Sequence, residues 1–297
     1  QEIKADQERL RQQHAALKRR PILPWAEAAR NRLDLRATAG GLAVPSFTGS
    51  RLVDVSLETI VPYIDWTFFF AAWELKGRFP AILDHPQYGS SARELYDQGR
   101  TLLDRIVRER LLTVRGVYGF WPAQSTGDDI VVYAKGPAVD QRELVRFNML
   151  RQQEQQADGR PNLSLADFVA SAGSGLEDSI GAFAITAGLG AEELAAALAR
   201  DLDDYHAIMV KALADRLAEA SAEWLHARAR ADWGFGAGER LSSGEVIAER
   251  YRGIRPAFGY PACPDHSEKY KLFDLLQAER AGISLTENGA MTPAASV

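Results

Sequence analysis

The longest regular pattern of apolar and polar positions runs from residue 191 to residue 230. Apolar side chains recur there at steps of three and four residues, the spacing that places them on one face of an α-helix. The positions that define this face are Val210, Leu213, Leu217, Ala220 and Trp224. The pattern predicts a long helix with a core-facing stripe, interrupted near Asp201.

Polar side chains follow the same spacing on the opposite side of this predicted helix. This polar stripe consists of Arg216, Glu219, Glu223, His226 and Arg230. Most such stripes are solvent-exposed helix faces whose ion pairs contribute little to stability. The other interpretation is the polar wall of a binding cleft, and the spacing alone leaves both interpretations open.

Two shorter helical patterns precede the long one. The first covers residues 65–77, DWTFFFAAWELKG, and the second covers residues 92–108, for which Ser91 is a suitable N-cap. The predicted packing face of the first helix comprises Phe68, Phe69, Ala72 and Trp73. Both helices are expected to pack against a sheet.

Three runs rich in β-branched and aromatic residues predict strands: VRGVYGFWPA, DIVVYA and SIGAFAITAGLG. The first two are separated by QSTGD, which is typical of a hairpin turn. We expect all three to belong to one largely antiparallel sheet. Helices and strands therefore occur together in a mixed α and β order.

The first twenty residues form a polar helical pattern that ends at Pro21 and Pro24. We interpret residues 1–36 as a helical connector and residues 37–297 as one compact domain, because no repeat or long linker divides the rest. The sequence does not begin with methionine, so we expect it to be part of a longer chain.

Composition excludes several classes of protein. Hydrophobic residues make up 46% and charged residues 25% of the 297 positions, as in ordinary folded domains. The net charge is −5, and the basic excess lies in residues 1–36, so the acidic body argues against nucleic-acid binding. The single cysteine excludes an internal disulfide, and no apolar run is long enough to cross a membrane. We expect a cytoplasmic protein.

The segment RPAFGYPACPDH, residues 255–266, contains three prolines and one glycine. Proline fixes its own backbone angle and lacks an amide donor, so this segment is predicted to be a rigid loop. Arg255 offers a planar fork that suits a carboxylate. On these features alone, a ligand-binding loop and a rigid connector clamped onto the body are equally good interpretations.

Other motifs are weaker. Cys263 and His266 lack the further ligands that a zinc site needs, so no metal site is predicted. The GSG at residues 173–175 lacks the strand and helix of a dinucleotide-binding loop and is interpreted as a surface turn. No convincing pair of nucleophile and base is found, so no catalytic residue is assigned.

The proline-rich segment resembles the signature of the S-adenosylmethionine-binding activation domain at the C-terminus of cobalamin-dependent methionine synthases. Further segments resemble that family in the same order: VPYIDWTFFFAAWELKGRFPAIL, RGVYGFWPAQSTGDDIVVY, LADFVA, IGAFAITAG, DDYHAIMVKALADRLAEASAEWLH and LTENGAMTPAASV. The resemblance covers residues 62–297. Residues 1–36 resemble the joint that follows the family's cobalamin-binding domain.

The resemblance implies an α+β fold, a curved body with a twisted antiparallel sheet and long helices. It also implies a role in repair, in which S-adenosylmethionine methylates oxidised, inactive cob(II)alamin while a flavodoxin-type reductase supplies an electron. Partners would be the cobalamin domain of the same enzyme and that electron donor. The chain alone would not make methionine.

The family's ligand contacts, carried over to matching positions, are Asp65, Glu219, Arg255, Ala257, Gly259, Tyr260, Ala262 and His266. Arg255 suits the ligand's carboxylate, Asp65 or Glu219 its ammonium group, and Tyr260 its sulfonium. Asp65 also precedes a predicted helix, so a capping role is the alternative. Family members continue into an aromatic-rich tail that helps to enclose the ligand, so residues 1–297 alone are expected to form an open pocket.

Two other functions remain open. One is a docking module that holds the cobalamin domain and the reductase without binding S-adenosylmethionine. The other is a self-sufficient methyltransferase, which is disfavoured because the sequence lacks a glycine-rich nucleotide loop and an acceptor base.

Overall fold

The computed structural model describes Lys4, Gln7 and residues 21–35, 42–135, 142–157, 159–235 and 238–297. The predicted connector helix over residues 1–20 lies outside the described residues, apart from Lys4 and Gln7.

The centre of the fold is a five-stranded sheet in which all neighbouring strands are antiparallel. Its strands are β1 (Gly49–Val55), β2 (Thr113–Thr126), β3 (Asp129–Tyr133), β4 (Glu143–Asn148) and β5 (Asp178–Leu189). Strands β1 and β3 pair with successive parts of one edge of β2, β5 pairs with its other edge, and β4 extends the sheet beyond β3. The three predicted strands are confirmed as β2, β3 and β5, and the antiparallel sheet is confirmed with them.

Helices surround this sheet, which gives the expected α+β fold. They are α1 (Trp25–Arg30), α2 (Leu57–Ile60), α3 (Trp66–Ala71), α4 (Gly89–Glu109), α5 (Ala191–Arg200), α6 (Asp204–Trp233), α7 (Ser243–Ile247) and α8 (Glu268–Leu276). Short 3-10 turns occupy Val61–Tyr63, Ala81–Asp84, Leu165–Phe168 and Ala278–Ala281, and a small hairpin joins β6 (Ser284–Leu285) to β7 (Met291–Thr292). No described helix is both long enough and apolar enough to span a bilayer.

The predicted long helix is confirmed together with its interruption. Helices α5 and α6 are separated by a short break in which Leu202 adopts a left-handed backbone conformation, with φ of 63°. Asp203 then caps α6, because its side chain accepts a hydrogen bond from the backbone N–H of His206. Along α6, Leu213 and Leu217 are fully buried, so the predicted core-facing stripe is correct.

Two details of the shorter helices were predicted wrongly. Phe68 is 60% exposed, whereas Phe69 and Phe70 are fully buried, because Asp65 caps α3 and the helix ends at Ala71. Helix α4 begins at Gly89 rather than after Ser91, so Ser91 is not its cap.

Both faces of the sheet are buried, and they belong to two hydrophobic cores. Tyr118 and Phe120 of β2 point into a first core, which also contains side chains of α3, α4, α5 and α6. Val117 and Trp121 point into a second core, formed with β3, β4, α8, the 3-10 turns at Leu165–Phe168 and Ala278–Ala281, and the proline-rich loop. This alternation is the two-residue period of a strand.

The proline-rich loop runs between the two cores. At its start, Arg255 contacts Glu223 of α6, on the side of the first core. A few residues later, Phe258 packs against Phe147 in the second core, and Cys263 is buried there. The loop is therefore anchored on both faces of the sheet.

Candidate functional site

The polar stripe of α6 meets the proline-rich loop at a buried ion pair. Arg255 Nη2 lies 2.5 Å from Glu223 Oε1, and the two side chains are only 18% and 15% exposed. Burying both charges is costly, and removal of one partner leaves the other uncompensated. Of the two interpretations of the stripe, a cleft wall therefore fits this end of α6 better than a solvated face.

Aromatic and basic side chains surround this pair. The Arg255 guanidinium lies 5.9 Å from the ring centre of Phe183 on β5. His226, one turn after Glu223, packs edge to face on Tyr251, with ring centres 4.6 Å apart. Arg230 lies over the same tyrosine ring and forms its own ion pair with Glu239, with Nη2 and Oε1 2.5 Å apart.

Burial sets the charge states of this cluster. It raises the pKa of Glu223, against the opposing effect of Arg255. It also lowers the pKa of His226 to about 3, with further contributions from the positive charges of Arg255 and Arg230. His226 is therefore uncharged at physiological pH. Burial also disfavours the charged form of Tyr251, so the pKa of that tyrosine is raised.

Three buried polar atoms in this cluster have no hydrogen-bond partner among the described residues. They are Glu223 Oε2, His226 Nδ1 and Arg255 Nε. Buried polar atoms are normally bonded, and exceptions concentrate at strained or functional sites. The cluster thus offers unused donors and acceptors next to a fixed positive charge.

Glu219 borders this cluster, whereas the described polar contact of Asp65 is the cap of α3. Glu219 is exposed and stands one turn before Glu223 on the same stripe. Asp65 Oδ1 accepts a hydrogen bond of 2.9 Å from the backbone N–H of Thr67, so the capping role is real. Helix α3 is joined to the stripe through Phe68, whose exposed ring lies 5.6 Å from the Arg216 guanidinium.

The proline-rich loop holds its shape by internal hydrogen bonds. Ala257 O accepts from the N–H of Tyr260, and Gly259 N–H donates to Cys263 O. Gly259 has φ of +100°, and a Cβ placed there would come within 2.1 Å of the His266 ring. Both the backbone angle and the close ring therefore require glycine at this position.

The C-terminal half of the loop is anchored to the body. Ala262 is buried, and its carbonyl accepts a hydrogen bond of 2.8 Å from the N–H of Leu165. Tyr260 is 63% exposed. Burial raises the pKa of the Cys263 thiol to about 11, which keeps it protonated and unreactive.

The structure thus places seven of the eight predicted site residues in two groups, and the described polar contact of Asp65 lies within its own helix. Arg255 and Glu219 both lie near Glu223 of the α6 stripe, and Gly259 and His266 are in close contact within the proline-rich loop, which also contains Ala257, Tyr260 and Ala262. Sequence reasoning placed Glu223 and His226 on the stripe without giving either a role, since their partners lie far away in the chain. Tyr251 was missed, because nothing in the sequence around a single tyrosine marks it.

Among the described residues, no group of three or more His, Cys, Asp or Glu side chains could hold a metal ion. The GSG turn has the expected character, because Gly173 and Gly175 are exposed and both have positive φ.

Two comparisons with known proteins agree. Residues 56–297 match the family described as vitamin B12 dependent methionine synthase, activation domain. A crystal structure of the MetH reactivation domain bound to AdoHcy is similar in sequence and fold, with 44% identity and a TM-score of 0.87. The match covers 93% of this chain and 85% of that one. The chain therefore belongs to the family of activation domains of vitamin B12-dependent methionine synthases.

Proposed function

We propose that this domain binds S-adenosylmethionine and supports the reductive remethylation of cob(II)alamin in its parent enzyme. The observation that carries the proposal is the buried Arg255–Glu223 pair with its unused polar atoms. The similarity to a reactivation domain bound to AdoHcy, the demethylated product of S-adenosylmethionine, supports the same ligand class.

The residues present fit such a ligand. Its zwitterionic head needs a donor fork for the carboxylate, which Arg255 offers, and an acceptor for the ammonium group, which Asp65 or Glu219 offers. Tyr260 is exposed and its ring is suited to a sulfonium. Backbone and side-chain contacts are further proposed for Ala257, Gly259, Ala262 and His266.

The ligand supplies the chemistry, and the chain supplies binding and orientation. When bound, S-adenosylmethionine would supply a methyl group for transfer to a cobalamin reduced by one external electron, and S-adenosylhomocysteine would be the product that leaves. This transfer moves no proton, so the chain needs no general base. The neutral His226 and the other side chains of the polar stripe shape the site without taking part in the bond changes.

We further propose that the parent enzyme's cobalamin domain and a flavodoxin-type electron donor are the partners. Residues 1–36 would connect to the cobalamin domain, residues 37–297 would form the activation domain, and the chain alone would not make methionine. A cytoplasmic location suits such an enzyme and agrees with the single cysteine.

Calorimetry with S-adenosylmethionine and S-adenosylhomocysteine tests the proposal. Both ligands should bind the unchanged chain, and Arg255→Ala should weaken binding at least about tenfold, because the carboxylate would lose a charge-assisted hydrogen bond. Arg252→Ala is the matched control, since that exposed arginine lies in the same segment and stacks near Phe235.

The same titrations decide between the proposal and the docking module. A folded chain that binds neither ligand would favour a module that only holds its partner domains. Equal affinities for the Arg255 variant and the unchanged chain would remove Arg255 from the site.

A further inference from the structure

Three arginines with mostly buried side chains differ in how fully they are bonded. Arg151 uses Nε and both terminal nitrogens to bind Asp128, Asp167 and the carbonyl of Asn162. Arg230 likewise uses all three nitrogens, for Glu239 and the carbonyl of Arg252. These two are saturated structural arginines.

Arg255 is different. Its Nη2 binds Glu223 Oε1, while its Nε is buried without a partner among the described residues. A guanidinium has five N–H donors in one plane, so this arrangement leaves hydrogen-bond donors of Arg255 that the fold does not use. The ion pair holds the side chain without saturating it.

The surroundings of the pair limit how the guanidinium can rotate. Phe183 lies 5.9 Å from it, and Tyr251 lies close enough to interact with it. His226 is neutral, so it does not compete with Arg255 for the Glu223 carboxylate. Glu223 is therefore the one charged group that contacts Arg255 within the described part of the chain.

We propose that Glu223 is a positioning residue, which fixes the Arg255 guanidinium so that its unused donors receive the carboxylate of the ligand's amino acid head. This inference rests on the proposed function. An arginine forms two parallel hydrogen bonds to a carboxylate only when its guanidinium plane has the right orientation. Without a partner such as Glu223, the side chain would rotate and lose that orientation. Glu223 also offsets the charge of a buried arginine before the ligand arrives.

A pair of ligands separates this role from a general structural one. S-adenosylhomocysteine carries the amino acid head, whereas 5′-methylthioadenosine keeps the adenosine and the thioether but lacks the carboxylate. Calorimetry would measure both dissociation constants for the unchanged chain, Glu223→Gln and Glu223→Ala. Thermal melts of each variant would show that it is folded.

We expect Glu223→Ala to weaken S-adenosylhomocysteine binding at least about tenfold, while 5′-methylthioadenosine binding changes less than about twofold. Glu223→Gln keeps an acceptor and should lie between the alanine variant and the unchanged chain. Asp128→Asn is the matched control, because it disrupts another buried arginine–carboxylate pair away from the cluster, in which Arg151 Nη2 and Asp128 Oδ1 are 2.6 Å apart. It should lower the melting temperature without changing the ratio of the two affinities.

Three results would overturn the inference. Equal weakening of both ligands would mean that Glu223 only supports the fold. Tighter binding of S-adenosylhomocysteine by the variants would mean that Glu223 competes with the ligand for Arg255. Unchanged affinities would mean that Arg255 needs no positioning. If the unchanged chain binds no S-adenosylhomocysteine, the proposed function fails first, and the inference fails with it.

Discussion

His226 shows how a single buried side chain links the site to stability. Its ring packs on Tyr251, and its pKa falls from 6.5 to about 3 through burial and the nearby Arg255 and Arg230. Between these two pH values the unfolded chain binds a proton that the folded chain does not. Stability contributed by the neutral ring is therefore fully present above pH 6.5 and is lost as the pH falls.

We predict that the free energy of unfolding decreases by about 2 kcal/mol between pH 7 and pH 5 because of His226 alone, at about 1.4 kcal/mol per pH unit below 6.5. Glu223 acts in the opposite direction at the acidic end, because its raised pKa lets the folded chain bind a proton first. Urea unfolding of the unchanged chain and of His226→Gln at both pH values measures the difference. If the free energy of unfolding fell equally between pH 7 and pH 5 in the two proteins, the prediction would be contradicted.

The sequence indicated the types of side chain at the site but not their pairing. The spacing on α6 placed Glu219 and Glu223 on one stripe, and the proline-rich segment singled out Arg255. Glu223 and Arg255 are 32 residues apart, so only the folded chain shows that they are partners. The capping role of Asp65 was predictable, because the carboxylate and the Thr67 N–H that donates to it are two residues apart in the sequence.

The proline-rich loop is the element whose backbone depends most on one residue. Gly259 has φ of +100°, and the His266 ring occupies the space that a Cβ would take. A non-glycine residue in this region costs roughly 1–2 kcal/mol in backbone strain alone. The ring must move in addition, which would disturb the internal bonds of the loop.

We predict that Gly259→Ala destabilises the protein more than Gly173→Ala does, and that only Gly259→Ala weakens S-adenosylhomocysteine binding. Gly173 is the matched control, because it also has positive φ, +84°, but open space around its Cβ position. The two variants then have similar backbone strain, so the additional loss of stability in Gly259→Ala measures the clash with the His266 ring. Melting temperatures measure the loss of stability, and calorimetry measures the loss of affinity. Equal losses of stability in the two variants would show that the His266 ring moves aside at no cost.

The strands that sequence patterns missed are short. Strands β1 and β4 contain seven and six residues and carry charged side chains, so their alternation is weak. Helix α3 was predicted over too long a segment, and its packing face was misassigned as a result. Its inward residues follow the position of the Asp65 cap, which puts Trp66, Phe69 and Phe70 in the core.

The whole molecule depends on a sheet that serves two cores at once. Strand β5 takes part in both, since Ile185 faces the first core and Ala184 the second. One edge of β5 pairs with β2, and its other edge is paired near its end by the last three residues, 295–297. No sequence pattern marked this last segment as a strand partner, because three residues are too few to show a period.

The edge pairing made by residues 295–297 satisfies groups that are buried. Ile185 exchanges two backbone hydrogen bonds with Val297, of 2.9 and 2.8 Å. Ala295 O accepts from Ala187 N–H and from the hydroxyl of Thr186, which is fully buried. A buried donor left without an acceptor costs about 1–3 kcal/mol.

We predict that deleting residues 295–297 lowers the melting temperature and also weakens S-adenosylhomocysteine binding. The two effects are coupled because β5 carries Phe183, whose ring lies 5.9 Å from the Arg255 guanidinium, so a loosened β5 would loosen the site. Deleting Val297 alone is the graded control, since it removes the pair with Ile185 and leaves the carbonyl of Ala295 in place. A longer deletion that lowers stability but leaves affinity intact would show that α6 and the loop hold Arg255 without help from the sheet.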